Sequence, residues 1–159
     1  MRYVWIAGLL LVGLSIVFVA MECTGNAEGE KMVVKYTVCP IGWVRKTEGR
    51  TTIVVDKKYQ KGLLGLDQFS EVWVLYWFDR NDTPEKRSIL QIHPRGNTKN
   101  PKRGVFATHA PVRPNPIAMS KCKIVSVKDN VIEIEEIDAF ADTPVLDLKN
   151  VSEPSGRTK

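Results

Sequence analysis

Between residues 33 and 150, apolar and polar side chains change places in short alternating runs, the pattern of half-buried strands. The clearest case is 121–138, KCKIVSVKDNVIEIEEID, where two alternating runs flank a turn at 128–130 and predict a hairpin. Residues 51–56, TTIVVD, form a second β-branched run. Residues 72–78, VWVLYWF, are too apolar for a surface strand and should cross the core, where their rings pack rather than stack on a base. Residues 33–46, VVKYTVCPIGWVRK, are interrupted by Pro40 and Gly42 and predict a strand, a kink and a strand. A short helical turn is expected within 59–69, short strands at 88–93 and 145–148, and a tight connection at 139–144. There is no internal repeat and no long amphipathic helix. These elements predict a mostly β fold: one antiparallel β-barrel with few short helices.

A different pattern fills the amino end. Residues 3–21, YVWIAGLLLVGLSIVFVAM, are nineteen positions without a charge between Arg2 and Glu22. That length lies between the core of a signal peptide and a spanning helix. Cys23 suggests a lipoprotein cleavage site, although Glu22 is a poor match for the small residue expected before it. The expected division is a signal or membrane-anchor segment and linker at 1–31, the barrel domain at 32–150, and a polar tail at 151–159. A translated segment makes the protein membrane-associated with its domain outside. A start at Met32 would leave it cytoplasmic.

Charge changes the picture in one place. The net charge is only +5, but from Lys86 to Lys128 there are ten Lys or Arg and no Asp or Glu. Such a stretch suits a polyanion. Arg95, Lys99, Lys102 and Arg103 lie in a flexible Pro/Gly-rich loop, PRGNTKNPKRG, and are the expected phosphate contacts; a solvated face is the plainer alternative. Two histidines and no Cys-x-x-Cys pair predict no metal site. Cys39 and Cys122 stand among apolar neighbours and should be buried as small hydrophobes.

Residues 104–120, GVFATHAPVRPNPIAMS, carry the most distinctive spacing. Pro111, Pro114 and Pro116 fix their own φ and push Ala110, Arg113 and Asn115 out of the α region. A loop so restricted loses little entropy when a ligand docks. It holds out Arg113, a planar five-donor cation, and Asn115, which both donates and accepts. A stiff turn between strands is the other reading.

This stretch resembles the signature of the TsaA-like (TrmO) family, GVF-A-T-R-x-x-x-RPNPIG-x-S. Two further blocks, GLDQFSEVWVLYWF at 65–78 and IDAFADTPVLDLK at 137–149, are similar to that family's GL-x-x-F-S-x-x-W-x-L-x-x-F and LD-x-x-DGTP-x-x-DIKPY. The likeness covers about 36–150. It implies a TsaA-like barrel, S-adenosylmethionine as cofactor, and methyl transfer to N6 of threonylcarbamoyl-adenosine beside the tRNA anticodon. It also implies a homodimer with pockets near the subunit interface. Carried over residue by residue, it implies a cofactor pocket at Asp79, Arg80, Thr108, His109, Ser120, Lys121, Asp138, Ala139, Phe140, Ala141 and Thr143. Asp138 is the candidate general base, with a turn-capping carboxylate as its alternative role, and Arg113 and Asn115 complete the catalytic set.

The chain departs from the family in several places. The Pro-Arg-Gln triplet usual after the first strand is absent from the loop KTEGRTT. His109 replaces an arginine, Ala118 and Asp142 each replace a glycine, and Lys149-Asn150-Val151 stands for Lys-Pro-Tyr. The leading expectation is S-adenosylmethionine-dependent methylation of a modified adenosine in tRNA. The alternatives are a membrane-tethered, non-enzymatic binding module on the same barrel, or methyl transfer to a small molecule or protein.

Overall fold

The computed structural model describes residues 34–151. The expected anchor at 1–31, Met32 and tail positions 152–159 lie outside the described residues. Among the described residues no helix is long and apolar enough to cross a membrane.

Six strands close into a barrel. They are β1 (Gly42–Thr47), β2 (Arg50–Val55), β3 (Glu71–Trp77), β6 (Ile117–Lys128), β7 (Val131–Ile134) and β8 (Pro144–Asn150). Every pairing is antiparallel, in the order β1-β2-β7-β6-β3-β8. The remaining strands, β4 (Gln91–Ile92) and β5 (Arg103–Gly104), pair only with each other. Closure leaves no edge strand in the barrel itself.

Local sequence explains each turn. Glu48 and Gly49 join β1 to β2 with φ of 50° and 77°, the two-residue geometry whose twist matches a hairpin. At the β6–β7 turn, Asn130 Nδ2 donates to the Val55 carbonyl at 2.6 Å and ties the hairpin to β2. Twelve-residue β6 serves two neighbours, β3 along 117–123 and β7 beyond Ile124. A register shift between Ile124 and Ser126 lets it bend between them. Alternation puts Val44, Ile53, Val55, Val72, Val74, Ile132 and Ile134 inside. A Cβ on Gly42 would meet the Val54 carbonyl oxygen at 2.5 Å, so β1 and β2 approach there as only glycine permits.

Several expectations are corrected. Residues 34–41 form no strand, and β1 begins only at Gly42, past Pro40. Cys39 is exposed, whereas Cys122 is in the core, its thiol pushed up to about 11 chiefly by burial and then by Glu136. The strand expected at 88–93 shrinks to Gln91–Ile92. Upstream of it Thr83 caps a one-turn helix α1 (Pro84–Ser88), its Oγ1 accepting from the Lys86 N–H, with Pro84 at the first helical position. Val105–Ala107 forms a 3-10 turn, closed by Thr108 Oγ1 donating to the Val105 carbonyl at 3.0 Å.

Candidate functional site

The alternation of β3 buries Val72, Val74 and Tyr76 in turn. Its partner β6 sets small residues at the same end: Ala118 lies opposite Tyr76, and Ser120 opposite Val74. Small side chains there leave room for a phenol. Tyr76 is only 3% exposed, and its hydroxyl donates to the Asp138 carbonyl oxygen at 2.7 Å and lies 3.1 Å from Ser120 Oγ. Burial outweighs the Ser120 contact and raises the phenol's pKa, so it stays an O–H donor at neutral pH. The Phe78 ring meets Tyr76 edge-on, with centroids 5.7 Å apart.

A cleft opens over this end in two lobes that share Tyr76, Phe78, His109 and Asp138. The larger, about 670 Å³, is walled by the 3-10 turn and proline loop through Phe106, Ala107, Thr108 and Arg113, and by Ile117, Ala118, Met119 and Ser120 of β6. The smaller, about 400 Å³, runs toward Lys46, Asp79, Arg80, Asn81, Pro111, Ala139, Phe140 and Thr143. The turn Asp79–Asn81 is held from below. Lys86 Nζ donates to the Arg80 carbonyl and to Asn81 Oδ1, each at 3.1 Å. Asp82 accepts from Trp77 Nε1 at 2.9 Å and from Arg87, whose contact chiefly holds its carboxyl below the usual range. The Arg80 guanidinium lies over the Phe140 ring, 4.1 Å from its centroid.

The proline loop is folded onto itself. Arg113 is half-buried and lines the larger lobe, and its Nη1 donates to the carbonyls of Thr108 and Ala110 at 3.4 Å. Pro116 is fully buried, and its carbonyl accepts from the Phe78 N–H at 2.8 Å. Loop and β3 are thereby fastened together.

Of the residues expected at the cofactor pocket, Asp79, Arg80, Thr108, His109, Ser120, Asp138, Ala139, Phe140 and Thr143 line the cleft, and Arg113 joins them. Asn115, Lys121 and Ala141 do not. Asn115 is exposed beyond the cavity walls. Lys121 follows inward Ser120 on a strand and so faces outward, 3.2 Å from Glu71. The departures also find their places. Ala118 has no positive φ, so its Cβ fits the strand. Asp142 does sit at φ 65°, where glycine is cheapest, and its carboxylate pairs with Arg45. In the loop without the usual triplet, Lys46 turns to the smaller lobe, its Nζ donating to the Ile137 carbonyl at 3.1 Å.

The expected phosphate contacts Arg95, Lys99, Lys102 and Arg103 are all exposed. Their loop is internally tied: Asn100 Nδ2 donates to the Pro94 carbonyl at 2.9 Å, and His93 Nδ1 lies 2.8 Å from the Asn100 oxygen. Sequence reasoning missed Tyr76, Phe78, Phe106 and Lys46 as cleft residues. The first two were assigned to packing, which they also do. No sequence signal marks the Tyr76 hydroxyl, because its donor bond goes to the main-chain carbonyl of Asp138.

Known proteins share this closed antiparallel barrel. TrmO from Pseudomonas aeruginosa superposes with a TM-score of 0.59 at 25% identity, covering 82% of this chain and 62% of that one. A second TrmO structure gives 0.58 at 27%, over 79% and 61%. The chain thus spans about three fifths of those solved chains. Residues 33–154 match the family described as the tRNA-methyltransferase O N-terminal domain, and the chain belongs to that family. A probable S-adenosyl-L-methionine-binding protein of Methanocaldococcus jannaschii is 45% identical over 118 residues, 74% of this chain and 94% of that protein. One from Pyrococcus horikoshii is 40% identical over 114 residues, 72% and 81%. The human tRNA (adenine(37)-N6)-methyltransferase is 40% identical over 90 residues, 57% of this chain but 20% of that protein.

Proposed function

We propose that the protein binds S-adenosylmethionine in the two-lobed cleft and methylates N6 of a modified adenosine in tRNA, near the anticodon. One observation carries this reading: two adjoining cavities, each large enough for part of a nucleoside, share the walls Tyr76, Phe78, His109 and Asp138. The residues present fit the cofactor's chemistry. Asp79 and Asp138 suit its ammonium and sulfonium charges, Arg80 its carboxylate, and the Phe78 and Phe140 faces its adenine. When bound, S-adenosylmethionine supplies a methyl group on a sulfonium. Asp138 is the group placed to hold the proton lost by the acceptor nitrogen, and Tyr76, gripping the Asp138 carbonyl, positions it. Phe106, Ile117 and Met119 give the larger lobe an exposed apolar wall that a bound acceptor would cover.

The names of the relatives support both halves: the archaeal proteins are called S-adenosylmethionine-binding, and the human one a tRNA adenine methyltransferase. Homodimer formation, and attachment through 3–21 where that segment is retained, belong to the same proposal. A second reading, the tethered binding module, is favoured by His109 in the cleft, where the family pattern has the permanent cation and bidentate donor of arginine. Calorimetry of the full chain with S-adenosylmethionine, followed by methyl transfer to tRNA carrying threonylcarbamoyl-adenosine, separates them. Binding and transfer are expected, with Asp138→Asn lowering turnover more than cofactor affinity. Binding without transfer would reject tRNA as the substrate, and no binding by the folded chain would reject both enzyme readings and leave the module.

A further inference from the structure

Apart from Lys128 at the end of β6, the basic residues between Lys86 and Lys128 fall into distinct settings once folded. Arg87, Lys121 and Lys123 are paired with Asp82, Glu71 and Glu135. Lys86 and Arg113 are spent on backbone carbonyls. Arg95, Lys99, Lys102 and Arg103 have no side-chain partner among the described residues, and all four sit on one tied loop. Positive charge left uncompensated on an ordered surface is a site for anions.

Two of the four also share a cavity. Arg95 and Arg103 line a hollow of about 390 Å³ together with Pro94, Asn100, Pro101, Ala107 and Thr108, and no acidic residue reaches it. Ala107 and Thr108 are at the same time a wall of the larger cleft lobe, so hollow and cleft stand back to back across two residues. Arg95 is held there at φ 59°, a conformation that a long side chain adopts at some cost. The turn that imposes it is closed by the Gly96 N–H to the His93 carbonyl at 3.0 Å.

We propose that this hollow is a subsite for a backbone phosphate of the RNA, next to the nucleotide whose base enters the cleft. It rests on the RNA-modifying reading above. Arg95 and Arg103 grip the phosphate with paired N–H donors, while Lys99 and Lys102 add only diffuse attraction. The Ala107–Thr108 wall then sets the register between gripped phosphate and methylated base. Phosphate contacts of this kind position a substrate without reading its sequence.

The test uses the full chain and a fluorescently labelled anticodon stem-loop RNA, titrated at several salt concentrations. Arg95→Asn with Arg103→Gln removes the charge while asparagine tolerates the positive φ. This double variant should bind about tenfold more weakly, and its dependence of log K on log salt should flatten by about 0.7, one single-strand phosphate. Lys99→Gln with Lys102→Gln should lose less and keep tight binding at high salt. Equal losses for the two pairs would mean diffuse attraction and overturn the subsite, as would wild-type binding by the arginine variant. Calorimetry with S-adenosylmethionine should be unchanged in both. A wild-type chain that binds RNA in this arginine-dependent way but ignores S-adenosylmethionine would sink the methyltransferase reading and leave the phosphate site standing.

Discussion

The two walls of the barrel obey the same alternation and do different things with it. On the β1–β2–β7 wall the inward side chains include Val44, Ile53, Val55, Ile132 and Ile134, all aliphatic and at most 2% exposed. On the β3–β6 wall the inward row runs from Val72, Val74 and Cys122 to Tyr76, Ala118 and Ser120, so polarity rises toward the cleft. The first wall holds the cylinder shut. The second spends buried volume on a hydroxyl pair that fixes Asp138. A barrel can therefore acquire a site without altering its strand pattern, by changing residue type at one end of two neighbouring strands.

That contrast can be broken from either side. The largest effect belongs to the aliphatic wall: Ile53→Ala should cost about 3 kcal/mol of stability in urea unfolding. Residual folded protein should still bind ligand normally. Next, Gly42→Ala forces a Cβ against β2 backbone and should cost about 2 kcal/mol, because backbone cannot step aside as a side chain can. On the cleft wall the order reverses. Tyr76→Phe should lower stability by only about 1 kcal/mol, yet weaken cofactor binding about fivefold by releasing Asp138. A Tyr76→Phe protein with unaltered affinity would make the phenol mere packing.

The smallest effect sharpens the comparison on the outer face of the first wall. Arg50 donates twice to Glu133 at 2.8 Å, and that contact chiefly holds the Glu133 carboxyl below its ordinary range. A depressed folded pKa means the pair's contribution is complete above the unfolded value, about 4.3, and is lost as pH falls through the folded one. Arg50→Gln should therefore melt slightly below wild type at neutral pH and converge with it in acid.

Much of the first wall was legible before folding. Residues 51–56 and the runs within 121–138 declare a buried face by period alone, and the β2 and β6–β7 boundaries fall within a few residues of expectation. The peripheral segments were not legible. At 84–88 a Thr-Pro cap signal nucleates a helix that takes Ser88, and only Gln91–Ile92 of the expected strand finds a partner. The site was half visible. The family resemblance named Thr108, His109, Ser120 and Asp138, and the fold sets all four along one cavity. It also named Lys121, which instead faces out of the barrel beside Glu71. Tyr76 escaped because a ring inside an apolar run looks like core until its hydroxyl's partners, from residues 44 and 62 positions away, are in place.

The seam between β1 and β8 is the narrowest joint of the cylinder. Only Gly42 with Val145 and Trp43 with Pro144 pair across it, against seven pairs between β3 and β6. Flanking stitches run from the Ile41 N–H to the Val145 carbonyl at 2.8 Å, from Val44 to Thr143 at 3.0 Å, and from Asp142 to Val44 at 2.8 Å. Thr143, one of those stitches, is also a wall of the smaller lobe. Breathing of the barrel and occupancy of the cleft are thus one equilibrium seen from two sides: a molecule seated against Thr143 closes the stave it touches. Amide protons of Ile41, Val44 and Asp142 should exchange with solvent faster than those of β3 in the empty protein, and slow together when the cleft fills.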